Sequence, residues 1–149
     1  MIDHSPILAP IVALVAWTLV MWLWMYATRI PAMQAANIDT INLVGGSAAD
    51  LKAVIPPKSQ WPADNYNHLH EQPTIFYAIA IVHALLGTGG GINLSIAWGY
   101  VILRIIHSIV QATVNRVIVR FSVFALSTLC VIALTLHAAM ALGDLHLHG

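Results

Sequence analysis

The sequence predicts an all-α integral membrane protein that folds as a four-helix transmembrane bundle. Of its residues, 59% are hydrophobic and only 8% are charged, and the mean hydropathy is +0.80. These values lie outside the usual composition of soluble domains. Four apolar segments fill most of the chain, and polar or glycine-rich connections separate them. We therefore expect one transmembrane domain over residues 1–149.

The first helix is predicted over about 7–28, since the stretch from Ile7 to Tyr26 contains no charged residue. At about 1.5 Å per residue, a helix of roughly twenty residues crosses a hydrocarbon core of about 30 Å. The N-terminus lacks the basic region of a signal peptide, so we expect this helix to be retained. The other three helices are predicted over about 68–86, 92–114 and 121–142.

The connections predict how the helices are arranged across the membrane. The first, about 30–66, is long enough for a capping loop with one short helix near 48–53, whereas the glycine-rich turn at 87–91 makes helices two and three antiparallel neighbours. Lysine and arginine occur in the first and third connections and are absent from both termini and from the 87–91 turn. By the positive-inside rule, both termini lie outside and the two basic loops face the cytoplasm, which in a bacterium places the protein in the inner membrane.

The charge balance bears on the kind of partner. Lysine plus arginine and aspartate plus glutamate number six each, so the formal net charge is zero. This even balance provides no basic surface for nucleic acid. Membrane lipids and small molecules remain as the expected partners.

Helix three carries a polar stripe inside its apolar sequence. Arg104, His107 and Gln111 follow one another at helical spacing. An arginine in the middle of a membrane helix costs about 2.5 to 3.5 kcal/mol on insertion scales, so it should face a partner or a hydrated site. Glu71, near the cytoplasmic start of helix two, is expected at the depth of residues 109–112, with Arg104 a turn or two deeper and within reach of it. We therefore predict that Glu71 pairs with Arg104 or His107 and that these residues line a polar pocket, although a purely structural ion pair is an open alternative.

These segments resemble the family of membrane-associated proteins in eicosanoid and glutathione metabolism (MAPEG). Residues 65–77 look like the family's Asn-x-x-Glu segment with its following apolar stretch, and Arg104, His107, Arg116 and Arg120 match the spacing of the prostaglandin E synthase branch. The run that begins at Arg29 is similar to bacterial members. The resemblance covers nearly the whole chain.

The resemblance implies a homotrimer that holds glutathione, as a cosubstrate, in cytoplasm-facing clefts between subunits. A lipophilic electrophile would enter from the bilayer, and the activity would be that of a glutathione transferase or peroxidase. Arg120 matches the arginine thought to stabilise the glutathione thiolate and is the catalytic candidate. The residues implied to bind glutathione are Arg29, His68, Glu71, Arg104, His107 and Gln111.

Four positions in the implied glutathione site differ from the family pattern. His68 replaces an asparagine, Asn67 and Asp64 replace arginines of the prostaglandin branch, and Gln111 replaces a tyrosine. The two lost arginines would have faced a ligand that carries two carboxylates. His68 and His107 are expected to act as hydrogen-bond partners, with neither assigned as a general base.

Two alternatives from other classes remain open. One is a non-catalytic membrane subunit that keeps the fold and uses its polar residues for assembly. The other is a haem or metal protein, prompted by eight histidines. His83 and His137 could face each other near the outer side, as axial ligands do in some four-helix bundles. No other metal site is expected.

Overall fold

The computed structural model describes residues 4–39, 41–42, 44–45 and 47–148. The described part of the chain is all-α and contains six helices. Three of them are long and apolar enough to cross a membrane: Leu8–Ala35, Gly91–Thr113 and the Val117–Asp144 part of the last helix. In chain order the helices are α1 (Leu8–Ala35), α2 (Ala48–Val54), α3 (Pro57–His68), α4 (Gln72–Leu85), α5 (Gly91–Thr113) and α6 (Val117–His148).

Helix α1 is longer than the sequence predicted, ending at Ala35 instead of near residue 28. It continues through Arg29 and accommodates Pro31 in its last part. The alanine, methionine and glutamine that follow this proline are good helix formers, so the helix resumes beyond the membrane-length segment. Its buried face, which includes Leu14 and Met21, points toward the other helices.

The first connection contains more structure than the predicted capping loop. Helix α2 begins at a capping box in which the Ser47 hydroxyl accepts from the Asp50 backbone and the Asp50 carboxylate accepts from the Ser47 backbone. Helix α3, which the sequence analysis missed, starts with Pro57 in its first turn. Lys52 of α2 forms a salt bridge with Asp64 of α3, with 2.9 Å between nitrogen and oxygen. The α3 part of the connection packs against α1 and α5.

Helices α3 and α4 are separated by a break at residues 69–71, and this break shifts the predicted second span. That span was expected from residue 68, whereas α4 begins at Gln72 and has 14 residues. Pro73 explains the difference, because a proline has no N–H and its ring clashes with the carbonyl four residues earlier. The break places the end of α3 beside α5.

Residues with positive φ angles form the turns that join α4 to α5 and α5 to α6. Gly87 and Gly91 adopt positive φ angles of 70° and 55° in the turn between α4 and α5. Gly89 of the same turn is buried, and a Cβ atom there would lie 2.7 Å from the Ile7 side chain. Asn115, with φ of 54°, ends α5 in the left-handed conformation typical of helix C-termini.

The core lies between α1, α4, α5 and α6. Phe76 of α4 stacks on Tyr100 of α5 with 4.3 Å between ring centroids, and both are fully buried. Large aliphatic side chains such as Leu19, Ile102 and Leu129 are exposed on the outside of the long helices. An apolar exterior of this kind suits a hydrocarbon environment. The helices therefore surround a core while presenting an apolar surface to lipid.

Candidate functional site

A cavity of about 220 Å³ opens where the end of α3 meets α5 and the first turns of α6. Its lining combines three polar or charged side chains with three apolar ones. Three of the residues predicted from the sequence, on three different helices, contribute to it. Its lining consists of His68, His107, Val117, Arg120, Phe121 and Phe124.

Arg120 is held in place by the turn that precedes its helix. Its Nη1 donates a hydrogen bond of 2.6 Å to the side-chain oxygen of Asn115. Asn115 thus has two roles, since it also ends α5. The buried Nε of Arg120 has no hydrogen-bond partner among the described residues. Nη2 also makes no hydrogen bond within the described chain, so the guanidinium keeps a donor and its positive charge at the cavity.

His68 and Glu71 form a hydrogen-bonded pair at the break between α3 and α4. Nδ1 of His68 lies 2.5 Å from a carboxylate oxygen of Glu71. The Glu71 side chain is 67% exposed, so it faces outward while the imidazole lines the cavity. The pair differs from the prediction, in which the partner of Glu71 was Arg104 or His107.

The charge state of His68 follows from its surroundings. It belongs to α3, outside the three membrane-length helices. Burial lowers the pKa of His68 below its ordinary value of 6.5. The hydrogen bond to Glu71 opposes this shift, while the positive charges of Arg104 and Arg120 add to it. The imidazole is therefore neutral near pH 7 and can accept a proton.

The structure does not form the predicted pair between Glu71 and Arg104 or His107. Arg104 is fully buried, and its Nη2 donates to the backbone carbonyl of His68 at 3.2 Å. The physical reason is the break at 69–71, which leaves carbonyl groups at the end of α3 without helical partners. The C-terminal end of a helix carries a partial negative charge, so it can stabilise the buried cation in place of a carboxylate.

Arg104 also packs against the cavity wall. Its guanidinium carbon lies 5.8 Å from the centre of the Phe124 ring. Phe124 is in turn 5.5 Å from the His68 ring. The phenyl ring therefore lies close to both side chains and lines the cavity beside them. Nε and Nη1 of Arg104 have no partner among the described residues, so this cation is only partly satisfied.

The remaining predicted residues lie at different distances from this cavity. His107 is 2% exposed and lines it, with its ring centroid 5.0 Å from that of His68. Gln111 is buried on α5 but does not line the cavity. Arg29, near the end of α1, is half-buried and also does not line it. Within one subunit, the cavity therefore brings together His68, His107 and Arg120.

The apolar lining of the cavity was not predicted from the sequence. Val117, Phe121 and Phe124 all come from the first turns of α6. Their spacing along α6 was a signal, because successive members are four and three positions apart and therefore share a helix face. Gln72 was missed as well. Its side chain donates to Thr128 at 2.7 Å and accepts from Ser127 at 3.3 Å, which joins α4 to α6.

Asp64 is one of the two positions where the resemblance indicates an arginine, and this carboxylate has a partner of its own. Asp64 pairs with Lys52, and the two side chains are 36% and 53% exposed. Asn67 is exposed, and no side-chain hydrogen bond from it is found among the described residues. The local charge of the Asp64 and Lys52 pair is zero. This edge of α3 therefore offers much less attraction for carboxylates than two arginines would.

The histidines considered for haem ligation belong to a hydrogen-bonded network. Nε2 of His83 lies 2.9 Å from the Leu134 carbonyl, and Nδ1 lies 2.7 Å from the Thr88 hydroxyl. Asn93 accepts from His137 at 2.6 Å. Both nitrogens of His83 are thus engaged, and neither is free to bind iron. Within the described residues no group of three or more His, Cys, Asp or Glu side chains is arranged to hold a metal.

The fold and the site define a class of protein. It is a helical membrane protein with a small, partly charged cavity among its helices. The sequence model of the MAPEG family matches residues 7–140, so the chain belongs to the MAPEG family. No curated protein and no solved structure matches the chain. Family membership agrees with the membrane helices and suggests a function related to glutathione.

Proposed function

We propose that the protein is a membrane-bound glutathione transferase or peroxidase that acts on lipophilic electrophiles. The observation that carries this proposal is the cavity in which Arg120, His107 and His68 meet the apolar wall of α6. In this proposal the sulfur of glutathione lies beside Arg120, and the cavity opens toward the cytoplasm. The second substrate reaches the sulfur from the side of Phe121 and Phe124.

Arg120 is suited to stabilise a thiolate because its guanidinium is anchored through Nη1, while Nη2 makes no hydrogen bond among the described residues. A thiol with a pKa of about 8.5 is only a few per cent ionised at pH 7. Lowering that pKa by about two units requires roughly 2.7 kcal/mol. One or two charge-assisted hydrogen bonds in a partly dry cavity can provide this amount.

The apolar wall supports a lipophilic second substrate. Val117, Phe121 and Phe124 line the same cavity as Arg120. Phe121 and Val117 are exposed on the single subunit, so this side of the cavity is continuous with the apolar exterior. A substrate dissolved in the bilayer would therefore approach the sulfur without crossing water.

The size of the cavity favours completion of the site by another copy of the chain. A volume of about 220 Å³ is below the roughly 300 Å³ or more of typical sites for drug-sized ligands. It suits the thiol end of glutathione better than the whole tripeptide. In a homotrimer of four-helix subunits, a neighbouring α1 would cover the remainder, and its Arg29 would reach a carboxylate. Glu71, Arg104 and Gln111 support the site from within the subunit.

Conjugation of glutathione to chlorodinitrobenzene by the purified protein tests this proposal. The variant Arg120→Ala should lower the rate at pH 7 at least tenfold, because the thiolate loses its stabilising charge. Arg116→Ala removes an exposed arginine that does not line the cavity, and it should leave the rate unchanged. A parallel assay with an organic hydroperoxide covers the peroxidase reaction. Turnover that is insensitive to Arg120→Ala would overturn the assigned role.

A non-catalytic membrane subunit is the second candidate, and one observation favours it. Several buried polar atoms of α5 have no hydrogen-bond partner among the described residues, including the Ser108 hydroxyl and the Gln111 carbonyl oxygen. These atoms lie inside the subunit, so they fit polar residues that are kept for packing between helices of the bundle. Absence of glutathione binding at millimolar concentration, together with a stable oligomer, would favour this candidate.

A further inference from the structure

We infer that His68 and Glu71 form a catalytic dyad in which His68 is the general base that removes the thiol proton. This inference rests on the proposed function and adds a residue to it. Its basis is a hydrogen bond between a carboxylate and an imidazole that lines the cavity. The pair depends on a histidine at a position where the resemblance indicates an asparagine, so it is a property of this chain.

The geometry assigns the two ring nitrogens of His68 different roles. Nδ1 lies 2.5 Å from the Glu71 carboxylate. An ionised carboxylate only accepts, so Nδ1 carries the hydrogen and donates to it. In the neutral ring Nε2 then has the lone pair, and no hydrogen bond of Nε2 is found among the described residues. Nε2 is therefore the nitrogen that can accept a proton from a molecule in the cavity.

His107 is less suited to the same task, although it lines the same cavity. It is 2% exposed, and its Nδ1 is buried without a partner among the described residues. No carboxylate contacts it in the described part of the chain. An imidazolium at His107 would face the buried cation of Arg104 without compensation. His68 has Glu71 to stabilise the positive charge that forms, as the acid does in other carboxylate–histidine pairs.

The proposed reaction is a proton transfer followed by a nucleophilic substitution. The S–H bond breaks, its proton moves to Nε2 of His68, and the electron pair stays on sulfur beside Arg120. The thiolate then forms a bond to the electrophilic carbon, and the leaving group departs with its bonding electrons. The imidazolium returns its proton to water. Arg120 stabilises the anion while His68 takes the proton, so the two residues act on the same ionisation.

Every charged or titratable group near His68 affects this step. Glu71 favours the protonated imidazole, whereas Arg104, Arg120 and burial oppose it. His107 lies 5.0 Å away across the cavity. The dyad is therefore expected to work as a neutral base at pH 7 and to lose its function when His68 is protonated in acid.

The pH dependence of kcat/KM for conjugation distinguishes a base from a structural residue. In His68→Asn, thiol ionisation depends on Arg120 alone, so the acid limb of the profile should move up by about one pH unit. The rate should then be about tenfold lower at pH 6 and should converge with the wild type near pH 9. Glu71→Gln should move the limb down instead, because Glu71 favours the protonated imidazole, and it should lower the plateau rate because His68 becomes a weaker base. A structural role would instead lower the rate equally at every pH.

His70→Asn is the matched control, because His70 is exposed, binds the Tyr66 carbonyl and does not line the cavity. Its profile should equal that of the wild type. A nitrogen-15 NMR spectrum of the histidine rings gives a second readout without substrate. It should show His68 as the Nδ1–H tautomer, and Glu71→Ala, which leaves no acceptor for Nδ1, should abolish that preference.

The outcomes separate this inference from the proposed function. A wild-type protein that neither binds nor conjugates glutathione overturns the proposed function and the base role with it. Conjugation with an unshifted acid limb in His68→Asn overturns the dyad alone. An Nε2–H tautomer of His68 in the wild type also overturns the dyad, even if conjugation occurs.

Discussion

Arg104 donates a hydrogen bond from Nη2 to the backbone carbonyl of His68, 3.2 Å away. This contact joins the centre of α5 to the end of α3. The hydrogen bond holds the backbone of His68, whose imidazole lines the cavity. His68 and Gln72 lie on opposite sides of the break between α3 and α4. A buried cation that contacts the end of a helix therefore fixes the position of a side chain in the site.

The first prediction concerns the cost of keeping this buried cation. Arg104→Met should leave the melting temperature unchanged or raise it, because an apolar side chain of similar length removes a poorly satisfied buried charge. The conjugation rate should fall, since His68 is no longer held. Circular dichroism melting and the chlorodinitrobenzene assay measure the two quantities.

Arg104→Lys is the control for charge, because it keeps the cation but offers a shorter and less directional donor. It should also reduce the rate. A marked loss of melting temperature in Arg104→Met, in proportion to the loss of activity, would show that the residue acts through global stability instead of local positioning.

The second prediction concerns the polar network at the end of the bundle where α4 turns into α5. Asn93→Leu removes the acceptor of His137 and the donor to the Thr88 carbonyl, leaving both in apolar surroundings. The loss should cost about 1 to 3 kcal/mol of unfolding free energy. Ser95→Ala, which removes an exposed hydroxyl bonded within its own helix, should be nearly neutral. Equal melting temperatures for the two variants would contradict the role of Asn93.

The third prediction concerns the close approach of the N-terminal segment to the turn between α4 and α5. Gly89→Ala adds a Cβ atom that would lie 2.7 Å from the Ile7 side chain and clash with the Ser5 hydroxyl. Because overpacking costs about 1 to 3 kcal/mol, the melting temperature should fall. A Cβ at Gly90 meets nothing within 4 Å, so Gly90→Ala serves as the matched control. A drop confined to Gly90→Ala would refute this packing.

The fourth prediction concerns the charge at the edge of the site. Asp64→Asn removes a carboxylate near a ligand that carries two, and it leaves Lys52 without its partner. The KM for glutathione should decrease by about two- to fivefold, since removing a like charge is worth a modest electrostatic gain. Asp144→Asn at the far end of α6 should not change it. An increased KM in Asp64→Asn would show that the salt bridge itself shapes the site.

The sequence allowed prediction of three membrane-length helices, because hydrocarbon length is a local property. It also predicted the polar stripe of α5. The role of Arg120 stays a prediction. The sequence did not predict the partner of Arg104, since the break before Pro73 sets which carbonyl groups are free. The pair of His68 with Glu71 and the phenylalanine wall of α6 depend on the relative rotation of neighbouring helices, which no local pattern determines.

Helix α3 was missed for a related reason. Its sequence is polar and contains Pro57 and Pro62, which are signals of a loop when it is considered alone. In the folded protein α3 packs against α1 and α5, and tertiary packing outweighs its weak intrinsic preference.

The central claim is that the cavity beside Arg120 holds glutathione as a thiolate. Thiolate absorbance in the ultraviolet, measured for glutathione bound to the purified protein across a pH series, tests it most directly. The pKa of the bound thiol should lie about two units below its free value of about 8.5. In Arg120→Ala it should return toward that value. Bound glutathione with an unperturbed thiol pKa in the wild type would contradict it.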